Sequence, residues 1–214
     1  MKDQSREGAV RVRDAELKRH RRAEILRAAV EVFADRGYFA ARMREVAQHA
    51  GVADGTLYLY FKGKEDLLVS VLEEYADAFL TRARRDAEKI ANPHEKLRMI
   101  VERHLFSMES DRALAQVFQI ELRHTRRFLR QVAKGKVAQY LGLLQEVITD
   151  GVQKGAFRRD VPVEVAARAV FGAVDEVVTA WVLASRPWPL TSHAKPLVSL
   201  ILRGLVAGPD GGAQ

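Results

Sequence analysis

The chain has 214 residues and no cysteine. That absence excludes a disulfide framework and a thiolate metal site, and it fits a cytoplasmic protein in a reducing compartment. No apolar run approaches the roughly 20 residues needed to span a bilayer, so no membrane partner is expected. The N-terminus lacks the apolar stretch of a signal peptide. Internal repeats, low-complexity segments and strand-like alternation are absent. The six histidines are scattered without metal-ligand spacing, and no phosphate-binding loop occurs. No catalytic or metal site is therefore expected, and the chain does not read as an enzyme. Aromatic residues make up only 7%, few for an aromatic-lined cation pocket.

What is present is helical periodicity nearly everywhere, which predicts an all-α fold of about nine helices. Ile25, Ala28, Ala29, Val32 and Phe33 form one apolar stripe, closed by Gly37. Met43, Val46, Ala47 and Ala50 form a second, closed by Gly51, and Gly55 to Phe61 gives a third short helix with Leu57 and Phe61 facing inward. This is the pattern of a helix-turn-helix head that reads duplex DNA. Thr56, Tyr58, Leu59 and Tyr60 are left near or on the other surfaces. The tips of Tyr58 and Tyr60 can reach phosphate oxygens or base edges, and Gly55 admits close backbone approach. A plain three-helix cap would give the same pattern, but the charge favours the DNA reader. Residues 1–64 hold 14 Lys and Arg against 9 Asp and Glu, a net of +5, whereas the remaining 150 residues hold 21 against 19. Phosphate neutralisation calls for that asymmetry.

Four segments follow: a charged flexible tail over 1–16, the DNA-binding head over 17–64, a helical body over 65–207, and a loose tail over 208–214. In the body, a long helix starts at Lys64 with Glu65 and Asp66 in its first turn and runs to about Ile90. Asn92-Pro93-His94-Glu95 starts the next. Ser110 or Asp111 starts another, a longer one runs from about Thr125 to Lys154, one opens at Pro162, and the last carries Leu197, Leu200, Ile201 and Leu205.

Ala50-Gly51-Val52, Gly55-Thr56-Leu57-Tyr58, Tyr60-Phe61 and Lys64-Glu65 with Leu67 or Leu68 resemble the signature of the TetR family of transcriptional regulators. The resemblance implies a homodimer, each subunit with a DNA-binding head and a ligand-binding, dimerising body, on a near-palindromic operator. By analogy, Ala53, Asp54, Gly55, Thr56, Tyr58, Leu59, Tyr60 and Lys64 occupy the DNA-facing helix and its flank, and Arg42 and Arg44 flank the start of the supporting helix, where they can meet phosphates. The chain departs from the pattern at Ala41, which cannot donate, at Ala53, which loses a cap, and at Gly63, a weaker cap.

Gly51 to Leu68, Gln119 to Arg123 and Phe171 to Val182 are similar to the FadR-type subgroup, which represses fatty-acid degradation genes and is released by long-chain acyl-CoA. That similarity implies no cofactor and an acyl-CoA effector held in two parts. The tunnel wall would come from Tyr75, Phe79, Val101, His104, Leu105, Phe106, Phe118, Leu122, Phe128 and Trp181, all of which also fit ordinary core. The nucleotide-phosphate mouth would come from Arg123, Arg126, Arg127 and Arg130, within a segment from Glu121 to Lys136 that carries +5 in 16 residues. A solvated basic helix start would read the same way. Asp175 and Glu176 interrupt an apolar helix, so at least one should be paired. The dimer interface implied by the family falls on Ala166, Ala169, Val170, Ala173, Val174, Val177, Leu197, Leu200, Ile201 and Gly204, small and apolar residues at helical spacing. Other readings left open are a repressor of an efflux or catabolic operon answering to another small apolar ligand, and a helix-turn-helix relic that has lost DNA binding.

Overall fold

The computed structural model describes residues 2–121, 133–186 and 188–206, with side chains from residue 12 onward except at 133 and 134. Among them lie nine α-helices: α1 (Lys2–Arg36), α2 (Met43–His49), α3 (Asp54–Tyr58), α4 (Lys64–Glu88), α5 (Pro93–Ser110), α6 (Arg112–Gln119), α7 (Ala138–Gln153), α8 (Val163–Leu183) and α9 (Ala194–Leu205). A π-helical turn over Ala133–Val137 leads into α7 and a 3-10 turn over Leu190–His193 into α9. No strand occurs among the described residues; Phe157 and Val206 form one isolated antiparallel bridge.

The chain divides into two compact units, Met1–Leu72 and Glu73–Gln214. The division falls inside α4 rather than at Lys64. The first turns of α4 place Leu67, Leu68, Val71 and Leu72 in the head's core with Ile25, Phe33, Val46, Leu57 and Phe61. α2 packs on α1 and on α3. α1 is helical from Lys2, where the sequence suggests a flexible arm; Val12 through Arg21 are exposed without exception, so no buried face holds that stretch.

In the second unit α5 is the central helix. It contacts α6, α7, α8 and α9, while α8 packs on α6, α7 and α9. The start signals read from sequence are used: Asn92 Oδ1 accepts from the backbone N–H of His94 at 2.9 Å, and Asp111 Oδ1 from that of Leu114 at 2.9 Å. The proposed start of a long helix near Thr125 and the tail from Gly208 lie outside the described residues.

Candidate functional site

The head is built from short-range rules. Gly37 takes φ 74° and its N–H reaches Phe33 O at 3.0 Å, ending α1. Tyr38 then folds edge-on to Phe33, with ring centroids 5.8 Å apart, and is buried. Glu45 reaches back to the backbone N–H of Arg42 at 2.8 Å, which fixes the start of α2. Gly51, at φ 63°, makes the turn, and Val52 N–H bonds to Ala47 O at 3.0 Å. Leu57 and Phe61 are buried as their spacing predicts. α3 spans Asp54–Tyr58, shorter than the Gly55 to Phe61 helix read from sequence. Ala53 sits at its N-cap without a side-chain hydrogen bond, the loss expected for alanine at this position.

One exposed surface results. Arg42, Arg44, Ala53, Asp54, Gly55, Tyr58 and Leu59 are all exposed, and Thr56 and Tyr60 are half-buried. Leu59 is 83% exposed and Tyr58 58%. An aliphatic side chain held that far into water beside an aromatic one marks a contact surface. Lys64 behaves differently from its sequence-based role as an outward DNA contact. Its Nζ donates to Phe39 O at 2.9 Å and to Ala41 O at 3.0 Å, and lies 4.8 Å from the centre of the Tyr38 ring. Partial burial lowers its pKa. Two of its three protons therefore brace the turn before α2, because those carbonyls need donors. Ala41 is itself buried.

In the body, the residues assigned to a ligand wall separate into groups. Val101, Leu105 and Trp181 are buried in the body's own core. Trp181 is locked there: its Nε1 donates to Trp188 O at 2.8 Å, and the Arg112 guanidinium lies 5.3 Å from its ring centre while donating to Val182 O and Ala184 O. Phe106 is 64% exposed and is not a wall residue. Val101 and Leu105 point inward one turn apart, so the next position along α5 turns away from them. Tyr75, Phe79, His104 and Phe118 are half-buried. Leu122, Arg123, Arg126, Arg127, Phe128 and Arg130 lie outside the described residues. Lys136, from the same basic segment, is paired with Asp77 at 2.5 Å.

Two aromatic residues that sequence reasoning passed over complete this region. Tyr140 lies edge-on to Phe79 with centroids 5.4 Å apart and to Phe171 at 5.7 Å. Its hydroxyl lies 3.1 Å from His104 Nδ1, and the His104 ring is edge-on to Phe79 at 5.6 Å. Burial lowers the His104 pKa to about 4, with Asp175 opposing that shift, so the imidazole is neutral at pH 7. Burial pushes the Tyr140 hydroxyl up, which keeps its proton on. The signal for Tyr140 was in the sequence: with Leu143, Leu144, Val147 and Ile148 it forms an i, i+3, i+4, i+7, i+8 stripe.

The implied dimer residues also divide. Ala166, Val170, Val174 and Leu197 are buried within the subunit, and Ala173, Val177 and Ile201 are half-buried. They follow one stripe, and that stripe faces the subunit's own core. Ala169, Leu200 and Gly204 are exposed, together with Val165, Gly172 and Leu183.

Comparison with known proteins covers both units. A family model for the bacterial regulatory proteins of the tetR family matches residues 25–71, and one for the C-terminal region of YsiA-like proteins matches residues 72–204. The fatty acid metabolism regulator protein of Bacillus subtilis is 37% identical over 188 residues, 88% of this chain and 97% of that protein. The crystal structure of the transcriptional regulator FadR from Bacillus subtilis in complex with stearoyl-CoA superposes with a TM-score of 0.81 at 37% identity, over 85% of this chain and 98% of that one. The fatty acid degradation regulator FadR from Bacillus halodurans gives 0.83 at 38% identity, over 86% and 95%. With a matching model for the head and another for the body, and a relative covered over nearly its whole length, the chain belongs to the TetR family of bacterial transcriptional regulators.

Proposed function

We propose that this protein is a cytoplasmic repressor that holds a near-palindromic operator as a homodimer, controls fatty-acid degradation genes, and leaves DNA when long-chain acyl-CoA enters its body. The observation that carries the reading is the likeness, over nearly full length, to a regulator solved with stearoyl-CoA. No helix among the described residues is long and apolar enough to cross a membrane, in keeping with a regulator that meets DNA and acyl-CoA in the cytoplasm.

The parts take these roles. Tyr58, Leu59 and Gly55 on α3 face the major groove, with Tyr60 and Thr56 at its margin and Arg42 and Arg44 on phosphates. Lys64 supports the turn that carries Arg42. Phe79, His104 and Tyr140, with Tyr75 and Phe118, border the effector, backed by the buried Val101, Leu105 and Trp181. Arg123, Arg126, Arg127 and Arg130 supply cations for the nucleotide phosphates. The partner subunit covers the exposed stripe of Val165, Ala169, Gly172 and Leu183 on α8 with Leu200 and Gly204 on α9. Val165 is 56%, Leu183 66% and Leu200 70% exposed in the single chain, and their spacing with small residues allows close helix packing.

Release is a population shift. One arrangement of the dimer spaces its heads to fit successive major grooves, and the effector binds a second arrangement more tightly. Moving that equilibrium from 99:1 to 1:99 requires about a 10⁴-fold preference, whereas equal affinity shifts nothing.

The test is native mass spectrometry of the purified protein, then operator binding titrated with lauroyl-CoA and palmitoyl-CoA. The reading expects a dimer on DNA that is released at low effector concentration. Operator binding that no acyl-CoA alters would overturn the effector assignment, and a monomer that shifts no DNA would overturn the repressor.

A further inference from the structure

A polar seam runs through the apolar body. α8 presents Phe171, Asp175 and Thr179 at successive turns. Thr179 Oγ1 lies 2.9 Å from Gln119 Oε1 and 2.9 Å from the Asp175 carbonyl oxygen. Across from it, His104 Nδ1 and the Tyr140 hydroxyl lie 3.1 Å apart between the rings of Phe79 and Phe171. A seam of this kind is at odds with a tunnel built only for an alkyl chain. Hydrocarbon laid against it would strand polar groups without partners.

Proton counting makes the conflict specific. A neutral imidazole carries one N–H and a tyrosine one O–H, giving two donor protons in the pair. Their mutual hydrogen bond uses one, whichever tautomer is present. One proton is left over: on His104 Nε2 if the tyrosine donates, on the tyrosine oxygen if the histidine donates. Among the described residues His104 Nε2 makes no hydrogen bond to the protein. The pair therefore has a proton to give to an acceptor from outside.

We propose that the His104–Tyr140 pair recognises the thioester carbonyl oxygen of the acyl-CoA effector, and that Asp175 beside it makes the site select a neutral carbonyl over a free carboxylate. This rests on the acyl-CoA reading above. The charge argument is direct. The Asp175 carboxylate lies close enough to His104 to act on its charge state, and burial holds the imidazole neutral. A fatty-acid carboxylate placed there would meet a like charge and no compensating cation on His104, whereas a thioester oxygen needs only the spare proton. The protein would thus distinguish the activated acyl chain from the free acid at the carbonyl itself, separately from the contacts made to the nucleotide.

Three ligands test this on the full-length wild-type protein bound to operator DNA. Stearoyl-CoA supplies the thioester. S-octadecyl-CoA keeps the chain, sulfur and nucleotide but lacks the carbonyl. Methyl stearate against stearate isolates the carboxylate charge. The proposal expects the thioether to release DNA about tenfold less effectively than the thioester, and stearate to bind at least tenfold more weakly than methyl stearate. In the double variant His104→Leu with Tyr140→Phe, both donors are gone and the surroundings stay apolar; the thioester advantage should fall to about one while release by the thioether is retained. Equal potency of thioester and thioether on the wild-type protein overturns the proposal and leaves the acyl-CoA reading standing. Failure of stearoyl-CoA to release DNA overturns that reading and the proposal with it.

Discussion

Replacing Gly151 with alanine should unfold the body at a markedly lower temperature, although alanine is the better helix former. Gly151 lies near the end of α7, where the chain reverses through Gly155 and comes back over the helix. The backbone N–H groups of Ala156 and Phe157 both donate to Gly151 O, at 2.8 and 3.1 Å. That reversal lays the Phe157 ring onto the bare Cα. A Cβ at position 151 would lie 2.0 Å from Phe157 Cδ2, 2.4 Å from Cε2 and 2.9 Å from Cγ. Overlap of that size cannot be relieved by a few tenths of an ångström, so the ring or the turn must move. The ring has nowhere to go: Phe157 is fully buried, edge-on to His94 with centroids 5.0 Å apart, and its neighbour Arg158 ties the turn to Leu205 O at 2.8 Å. Helix propensity favours the variant by about 1 kcal/mol. Overpacking costs about 1–3 kcal/mol, and expelling a phenylalanine from a core about 3–5 kcal/mol. The net expectation is a loss of about 2–3 kcal/mol, or a midpoint lowered by on the order of 5–10 °C for a chain of this size. Circular dichroism at 222 nm against temperature reads it. The same substitution in a Phe157→Ala background should be neutral or stabilising, since the obstructing ring is gone, and the cycle should show a coupling above about 1 kcal/mol. A single variant that melts at or above the wild-type temperature would refute the steric argument.

Three other outcomes are expected. Gly55→Ala meets no heavy atom within 4 Å of its new Cβ in the free protein, so its melting temperature should hold or rise slightly. Its operator Kd, read by fluorescence anisotropy, should rise about tenfold if DNA approaches that backbone closely, and an unchanged Kd would remove Gly55 from the interface. Lys64→Met leaves Phe39 O and Ala41 O without their ammonium donor and should destabilise the head by about 1–2 kcal/mol in urea unfolding; no loss would mean that water replaces it. His104 has a folded pKa near 4 against 6.5 for the ordinary imidazole, so between those values the unfolded chain binds more protons. Its contribution is complete above pH 6.5 and drains away as pH falls towards 4, by at most on the order of 3 kcal/mol. Urea midpoints at pH 7 and pH 5 should differ more for the wild type than for His104→Gln, and equal slopes would refute the assignment.

The head could be read from the sequence because its determinants are local. Gly37 and Gly51 occupy the positive-φ positions their places after apolar stripes demand, and Leu57 and Phe61 turn inward together because they are four residues apart. The orientation of Lys64 was not legible, since it depends on carbonyls more than twenty positions upstream that meet it only in the folded head. The body was harder for a related reason. α8 is apolar on nearly every side, so periodicity cannot say which stripe faces the subunit's own core. Ala166, Val170 and Val174 turn inward, and the adjacent Val165, Ala169 and Gly172 turn outward. A helix that is apolar all round must be covered all round, and this subunit covers only half of it. The misassigned residues and the exposed ones thus make the same point: the ambiguity in the sequence arises because α8 serves two interfaces at once, the subunit's core and the surface that the family's dimer architecture would close.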